Sequence, residues 1–206
     1  MKPLHHFGDF QLDVLREVGN IGAGNAATAL AKLLNKPVDM RVPNVKILPF
    51  AEIANSIGGA EMVVIAIFMR VEGDAPGNMF FILREQSAKR LLRNFVGIGS
   101  DGSDGFSEME LSALSEIANI LVGSYLSSLG DFTKLYLSPT VPALAIDMAG
   151  AILNFGLIQF GEMGDHALLI DTQFFEDKDE VEGHFFFIPD PEAFRRLFTA
   201  LGVPFE

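Results

Sequence analysis

The pattern of apolar and polar positions between residues 10 and 33 predicts a long amphipathic helix. Apolar or small residues recur at helical spacing, at Leu12, Leu15, Val18, Gly22, Ala26, Ala29, Leu30 and Leu33. The opposite side of this helix carries a row of four positions, which we call the first polar ridge: Asp13, Glu17, Asn20 and Gly24. Taken alone, such a ridge is typical of a solvated helix face.

The glycines in this segment match a nucleotide-binding fingerprint but lie in the wrong context. The stretch from Gly22 to Ala27 fits G-x-G-x-x-A, which requires a strand before the first glycine and a helix that opens at the glycines. Because the preceding residues have helical periodicity, the glycines fall inside a helix. We therefore predict that the chain binds no dinucleotide. We expect the glycines to permit close approach of another helix or of a partner's backbone.

The same helix recurs 99 residues later, between residues 110 and 129. The second polar ridge consists of Ser112, Glu116, Asn119 and Gly123. In each copy 22 residues separate the asparagine from a proline, Pro43 or Pro142, so the pattern [DS]-x3-E-x2-N-x22-P occurs twice. Shared packing explains the repeated apolar residues, whereas solvated positions are free to differ. The repeated glutamate and asparagine therefore indicate a functional site.

The repeat continues through the segments that are predicted to form strands. Residues 61–68 match 165–172, residues 78–83 match 184–189, and residues 88–97 match 194–202. The chain is therefore two copies of a helix, strands and a final helix. The half-repeats span about 9–97 and 106–206, and a glycine- and serine-rich linker at about 97–105 joins them. Two copies that share one sheet would form a single domain over residues 1–206.

Composition limits the classes of partner and the kinds of chemistry that we expect for this chain. The chain has 27 acidic and 15 basic residues and a formal net charge of −12, so we expect neither nucleic acid nor anionic lipid as a partner. It contains no cysteine, and its four histidines show no metal-binding spacing, so we expect no metal or cofactor of its own. The longest apolar run, 62–69, is too short to span a bilayer, and no signal-peptide pattern is visible. These features predict a cytoplasmic protein without membrane insertion.

The doubled motif and its flanking segments resemble the CheC/CheX/FliY family of chemotaxis phosphatases. The resemblance covers nearly the whole chain and is carried by residues 15–40, 110–129 and 140–161. The chain length and the two intact motifs favour the CheC branch of the family. FliY would carry an additional flagellar-switch domain, and CheX, a dimer, would lack two intact motifs in one chain. The resemblance implies an α+β fold with a pseudo-twofold internal repeat, a central antiparallel sheet shared by both halves, and two long motif helices exposed on one side.

The same resemblance implies a substrate and the residues that act on it. The substrate would be a phosphorylated CheY-type response regulator, whose phosphate sits on an aspartate and whose Mg²⁺ belongs to the regulator. Glu17 with Asn20, and Glu116 with Asn119, would form two catalytic sites. At the start of the ridges, Asp13 and Ser112 are candidate auxiliary residues, and a helix-capping or helix-dipole role fits them about as well. We expect the protein to be a monomer.

The residue types on the ridges favour positioning over covalent catalysis. Neither ridge offers a cysteine, a histidine or a serine paired with a base, and an asparagine cannot take a proton at neutral pH. Its carboxamide can, however, hold a water in line with phosphorus, and the loose transition state of phosphoryl transfer needs mainly positioning. The glutamate is suited to pairing with a cation, which by resemblance is a lysine of the regulator. Because Asp13 and Glu17 are like charges at i and i+4, we expect the second site to be the stronger.

A non-catalytic adaptor is the alternative to a phosphatase. The related switch protein FliM keeps the family's fold but lacks the glutamate–asparagine pair, and it would dock a regulator without chemistry. The intact pairs in both halves of this chain favour the phosphatase.

The two halves differ most after their prolines. The segment of the second half is longer and more apolar, and its side chains offer apolar surface at Met148, Ile152, Leu153, Phe155 and Leu157. Because proteins of the CheC branch bind the receptor deamidase CheD, the resemblance favours residues 147–157 as that binding surface, with Asp147 as a polar contact at its rim. Burial of this segment in the core is the alternative.

Overall fold

The computed structural model describes residues 9–99, 105–160, 166–176 and 179–202 of the 206-residue chain. The first half forms α1 (Asp9–Leu34), β1 (Asp39–Pro49), a 3-10 turn (Phe50–Glu52), α2 (Ile53–Ser56), β2 (Val63–Gly73), β3 (Gly77–Arg84) and α3 (Glu85–Leu91), which continues as a π-helical turn (Leu92–Val96). The second half forms α4 (Glu108–Thr133), β4 (Leu137–Pro139), β5 (Ala143–Met148), α5 (Ala149–Phe160), β6 (His166–Glu176), β7 (Asp179–Pro189) and α6 (Pro191–Ala200). Each half thus contains a long helix, strands and a final helix, as the repeat predicts. Residues 100–104 of the expected linker lie outside the described residues.

The seven strands of the described residues belong to one antiparallel sheet, which both halves build together. The strand order is β1-β6-β7-β3-β2-β4, and β5 pairs with β2 next to β4. The first strand of each half therefore pairs with the second strand of the other half: β1 with β6, and β4 and β5 with β2. The third strands, β3 and β7, pair at the centre. Because each half pairs its first strand with the second strand of the other half, the sheet has pseudo-twofold symmetry.

Both outer strands bulge at the valine–proline step that the repeated motif contains. Between Arg41 and Asn44, β1 advances three residues while β6 advances two, from Gln173 to Asp171. In the second half, the chain advances four residues from Pro139 to Ala143 while β2 advances three. One extra residue at each step is the mark of a β-bulge, which bends a strand locally. The bulges lie at Val42–Pro43 and at 140–142.

Helices cover both faces of the sheet and create two cores. Alternate residues of β2 separate them, since Ile65 and Ile67 belong to the larger core while Val64 and Ala66 belong to the smaller. The larger core also contains residues of α1, α3, α4 and α6, and the stacked rings of Phe81 and Phe185, with centroids 4.4 Å apart, lie in it. The smaller core contains residues of α2 and α5. Most of the helical mass, including α1 and α4, therefore lies on one face.

The predicted α+β fold with its shared antiparallel sheet is confirmed, and so is the position of the glycines inside a helix.

The prediction of an apolar surface at residues 147–157 is wrong in part. Ile152 and Leu153 on α5 are only 9% and 5% exposed, because they pack in the smaller core. The second face of the sheet needs an apolar cover, and α5 supplies it. The side chains of Phe155 and Leu157 lie outside the described residues.

Candidate functional site

The first glutamate–asparagine pair lies on the outer face of α1. Glu17 is exposed, and Asn20, one turn later, is partly buried against the β1 bulge. The Asn20 Nδ2 donates to the Val42 carbonyl oxygen at 3.3 Å and to the Arg16 carbonyl oxygen at 3.1 Å. In return, the Val42 N–H donates to the Asn20 Oδ1 at 2.9 Å. The Asn20 carboxamide therefore pairs with the bulged residue much as a neighbouring strand would.

In the first half, this pairing brings the residue before the proline of the motif against the asparagine. Val42, the residue before Pro43, is 2% exposed and packs over Gly19. A Cβ at Gly19 would lie 3.4 Å from the Val42 Cγ1, which is an ordinary van der Waals contact, so the bulge packs directly over α1 without requiring a glycine at this position. The sequence showed the spacing, but the contact between bulge and helix is tertiary and left no signal of its own.

The second pair has the same place on α4 but different surroundings. Glu116 is exposed and Asn119 is partly buried. Val141, which stands where the first half has Val42, is 87% exposed. The bulge is held to β2 instead, because the Thr140 N–H donates to the Arg70 carbonyl oxygen at 2.8 Å and the Arg70 N–H donates to the Thr140 Oγ1 at 3.0 Å. Within the described part of the chain, the Asn119 carboxamide makes no hydrogen bond.

The two glutamates have no partner of opposite charge among the described residues. Asp13, by contrast, accepts a hydrogen bond from Arg16 at 2.8 Å in an exposed ion pair. Arg16 thus offsets the charge of Asp13, and repulsion of Glu17 by Asp13 is a weaker reason for unequal sites than the sequence indicated. The hydrogen bonds of the two asparagines distinguish the two sites more clearly.

The candidate auxiliary residues do not cap their helices. Ser107 caps α4 in a capping box, in which its hydroxyl accepts from the Glu110 N–H at 3.3 Å and Glu110 accepts from the Ser107 N–H at 2.7 Å. Ser112 and Asp13 each lie four residues after the first residue of their helix, and both are exposed. They remain on the ridges, beside the glutamates.

A close helix crossing fixes the two ridges relative to each other. A Cβ at Gly22 would lie 2.6 Å from the Tyr125 Cδ1 and 3.1 Å from the Tyr125 Cα, so α1 and α4 touch there with no room for a side chain. Nearby, the Asn25 Nδ2 donates to the Ser128 Oγ at 3.3 Å. Beneath the crossing, Tyr125 shares a hydrogen bond of 2.9 Å with Thr172 on the sheet, and burial raises the pKa of the Tyr125 phenol above its usual range. The expected close approach of another helix is confirmed at Gly22.

The pairs lie on open helix faces, and this geometry suits a macromolecular partner. Cavities of about 550 and 480 Å³ open beside Lys36 and beside Arg70, and neither pair lines them. Across the described ranges, no three histidine, aspartate or glutamate side chains are grouped so as to hold a metal ion. No helix in the same ranges is long and apolar enough to cross a membrane.

Among the described side chains of the expected second surface, those at the end of β5 are exposed. Asp147 and Met148 are both exposed, Met148 at 46%, and the Met148 N–H donates to the Asp147 Oδ1 at 2.7 Å. Their neighbours Ile146 and Val63 are 43% and 45% exposed. Met148 and Val63 are register partners on β5 and β2, so an apolar patch continues across the two strands.

Comparison with known proteins gives the family. A sequence model described as the CheC-like family matches residues 10–47 and 109–146, the two ridge helices with the strands that follow them. The chain is also 45% identical to the CheY-P phosphatase CheC of Bacillus subtilis strain 168, with 94% of each chain covered. This chain belongs to the CheC-like family.

Other relatives of this CheC-like chain are more distant. The flagellar motor switch phosphatase FliY of Bacillus subtilis strain 168 is 32% identical over 64% of the chain and 35% of FliY. The crystal structure of Thermotoga maritima FliY superposes with a TM-score of 0.73 at 17% identity, with 96% of this chain and 98% of that chain covered. At that identity the superposition shows a shared fold.

Proposed function

We propose that the protein is a phosphatase that hydrolyses the aspartyl phosphate of a phosphorylated CheY-type response regulator. The observation that carries this proposal is the glutamate–asparagine pair, which occurs on the exposed face of both α1 and α4. The name of the relative with 45% identity, a CheY-P phosphatase, supports the substrate. Such a substrate would place the protein in the cytoplasm, where we expect it to act as a monomer.

In this mechanism the asparagine orients the attacking water. A carboxamide both donates and accepts hydrogen bonds, so it can hold a water in line with phosphorus while the regulator supplies the phosphoryl group and its Mg²⁺. Such positioning lowers the barrier by several kcal/mol, of the order that well-oriented intramolecular reactions reach. Asn119 is suited to this role because its carboxamide makes no hydrogen bond to the described residues. Asn20 would have to exchange its bonds with Val42 for bonds to water.

The glutamate one turn earlier holds the regulator in place. Glu17 and Glu116 are exposed carboxylates without a described partner, on a chain with a net charge of −12. A lysine beside the regulator's phosphate would find an acceptor there, and a charge-assisted hydrogen bond would fix the docked orientation. The glutamate thereby sets where the water stands relative to phosphorus.

The test is release of phosphate from candidate response regulators that have been phosphorylated by a small-molecule phosphodonor. We expect the protein to accelerate release, and we expect the double variant Asn20→Ala/Asn119→Ala to bind the regulator without accelerating it. Failure to accelerate release from any CheY-type regulator would contradict the proposal. Binding without acceleration by the unaltered protein would support the FliM-like adaptor instead.

We further propose that the exposed end of β5 binds the receptor deamidase CheD. The support is the exposed apolar patch of Val63, Ile146 and Met148 near the end of β5, where Asp147 is also exposed. Asp147→Lys should impair binding of CheD while phosphate release and thermal stability stay unchanged. Asp131→Lys, the same charge change at an exposed position near the end of α4, is the matched control. Normal CheD binding by Asp147→Lys would refute this surface.

A further inference from the structure

Each polar ridge continues beyond its glutamate and asparagine in the same order of residues. In the first half Ile21 follows Asn20 and Gly24 comes three residues later, and the second half repeats this with Ile120 and Gly123. Glutamate, asparagine, isoleucine and glycine thus recur at i, i+3, i+4 and i+7, which places all four on one side of a helix. Neither the water nor the lysine of the proposed mechanism requires the isoleucine or the glycine.

The glycine has no structural reason among the described residues. Gly24 and Gly123 lie in helix interiors, where a glycine is unfavourable relative to alanine. A Cβ at either position would meet nothing within 4 Å, whereas a Cβ at Gly22, two residues earlier, would collide with Tyr125. Gly22 is explained by packing between the helices, and the two ridge glycines are not.

The isoleucine is unusual for a ridge that is otherwise polar. Ile21 is 52% exposed beside Asn20, and Ile120 at the equivalent position is partly buried against the larger core. An exposed large apolar side chain next to unpaired carboxylates is a combination that protein interfaces use, with an apolar contact surrounded by polar groups. Because Ile21 on α1 is more exposed than Ile120 on α4, we expect the isoleucine of α1 to contribute more to binding.

We propose that Ile21 with Gly24, and Ile120 with Gly123, form the docking surface for the main chain of the phosphorylated regulator beside its phosphoaspartate. The inference rests on the proposed function. The missing side chain lets the partner's backbone lie against the helix, one turn from the asparagine, while the isoleucine packs against an apolar side chain of the partner. The exposed glutamate on the same ridge provides the charge complementarity that selects a basic partner surface.

The decisive experiment separates helix stability from binding. The double variant Gly24→Ala/Gly123→Ala should raise the melting temperature, by about 2–4 °C for each glycine, because alanine is the better helix former and the added methyl meets nothing. The same variant should weaken binding of a beryllofluoride-loaded CheY-type regulator by about tenfold or more, since the methyl holds the partner's backbone away. A structural role for the glycines predicts the opposite change in stability.

Matched variants make each outcome decisive. Ile21→Ala should weaken binding, whereas Leu33→Ala, a leucine of similar exposure (55%) in the last turn of α1, should leave it unchanged. Unchanged binding by a stabilised double-glycine variant would overturn the inference, and so would a lower melting temperature. If the unaltered protein neither binds nor dephosphorylates any regulator, the proposed function fails and this inference fails with it. If only the asparagine variants lose activity, the proposed function stands and the docking surface is wrong.

Discussion

Asn20 and Asn119 occupy equivalent positions of the repeat but make different hydrogen bonds. Asn20 pairs with the N–H and the carbonyl oxygen of Val42, while Asn119 has no such partner among the described residues. We therefore expect Asn119→Ala to lose more phosphatase activity than Asn20→Ala. We also expect Asn20→Ala to lower the free energy of unfolding by about 1–3 kcal/mol, because the Val42 N–H loses its acceptor.

Phosphate release and urea denaturation of the two single variants test this prediction. Asn119→Ala should unfold at nearly the same urea concentration as the unaltered protein, since it breaks no described hydrogen bond. A larger activity loss in Asn20→Ala, with its stability unchanged, would show that the Val42 pairing does not restrain that site.

The exposed glutamates should act through docking. Replacing Glu17 and Glu116 by lysine places like charges opposite the expected lysine of the regulator, so affinity should fall on the order of a hundredfold. Replacement by glutamine should be milder, because the amide keeps the shape and one acceptor. Calorimetric titration with a beryllofluoride-loaded regulator measures both. Equal and small effects of the two replacements would identify the ridge as an ordinary solvated face.

At the residue scale, the sequence was sufficient to find the ridges but not their surroundings. Helical spacing placed Glu17 and Glu116 on exposed faces, where the structure has them. The hydrogen bonds between Asn20 and Val42 could not be predicted, because they depend on where a bulged strand lies against a helix. The ion pair of Arg16 with Asp13 is local, at i and i+3, and could have been read from the spacing.

At the element scale, the crossing of α1 and α4 sets the distance between the two ridges. Gly22→Ala would place a methyl 3.1 Å from the Tyr125 Cα and 2.6 Å from its ring, and the backbone cannot turn away as a side chain could. Overpacking costs about 1–3 kcal/mol, and the helix gains back about 1 kcal/mol. We expect a net loss of stability, measured by urea denaturation.

The control for this prediction is Gly24→Ala on the same helix. It makes the same chemical change two residues away, in open space, and should stabilise the protein. A stabilising effect of Gly22→Ala would mean that the helices separate easily and that the ridges are not fixed by this contact.

Helix α5 shows what an apolar pattern leaves undecided. The run from Ala149 to Leu157 is apolar or small except at Asn154, and this one polar position does not establish a period that separates a buried side from an exposed one. A segment so rich in apolar residues fits a partner surface as well as a core cover. The choice depends on whether the second face of the sheet is already covered, and that is settled by Ile152 and Leu153 in the smaller core.

At the scale of the whole molecule, the repeat was visible in the sequence but the exchange of strands was not. Two copies with matching strands are equally compatible with two small sheets side by side. Strand pairing is non-local, so the sequence of β1 does not indicate whether its partner is β6 or β2. The shared sheet follows from packing both pairs of ridge and final helices over one large core.

This exchange predicts that the two halves depend on each other for folding. Separated at the expected linker, the fragment 1–102 would keep β2 and β3 but lose β6, the partner of β1, along with β7 in the centre. The larger core would be opened, since the stacked pair of Phe81 and Phe185 draws one ring from each half. We expect neither fragment 1–102 nor fragment 103–206 to unfold cooperatively on its own.

The full chain should instead unfold in one transition. Far-UV circular dichroism reports all the helices, and tyrosine fluorescence reports Tyr125 at the centre of the molecule together with the exposed Tyr136, so the two unfolding curves should coincide. A variant with a protease site inserted at residue 102 provides the control, because after cleavage the halves should stay associated and keep phosphatase activity in native buffer. Such a nicked protein should lose its structure and activity together as urea rises. A fragment that melts cooperatively alone, or two separated transitions in the full chain, would show that the halves are independent units and that the shared sheet does not bind them into one.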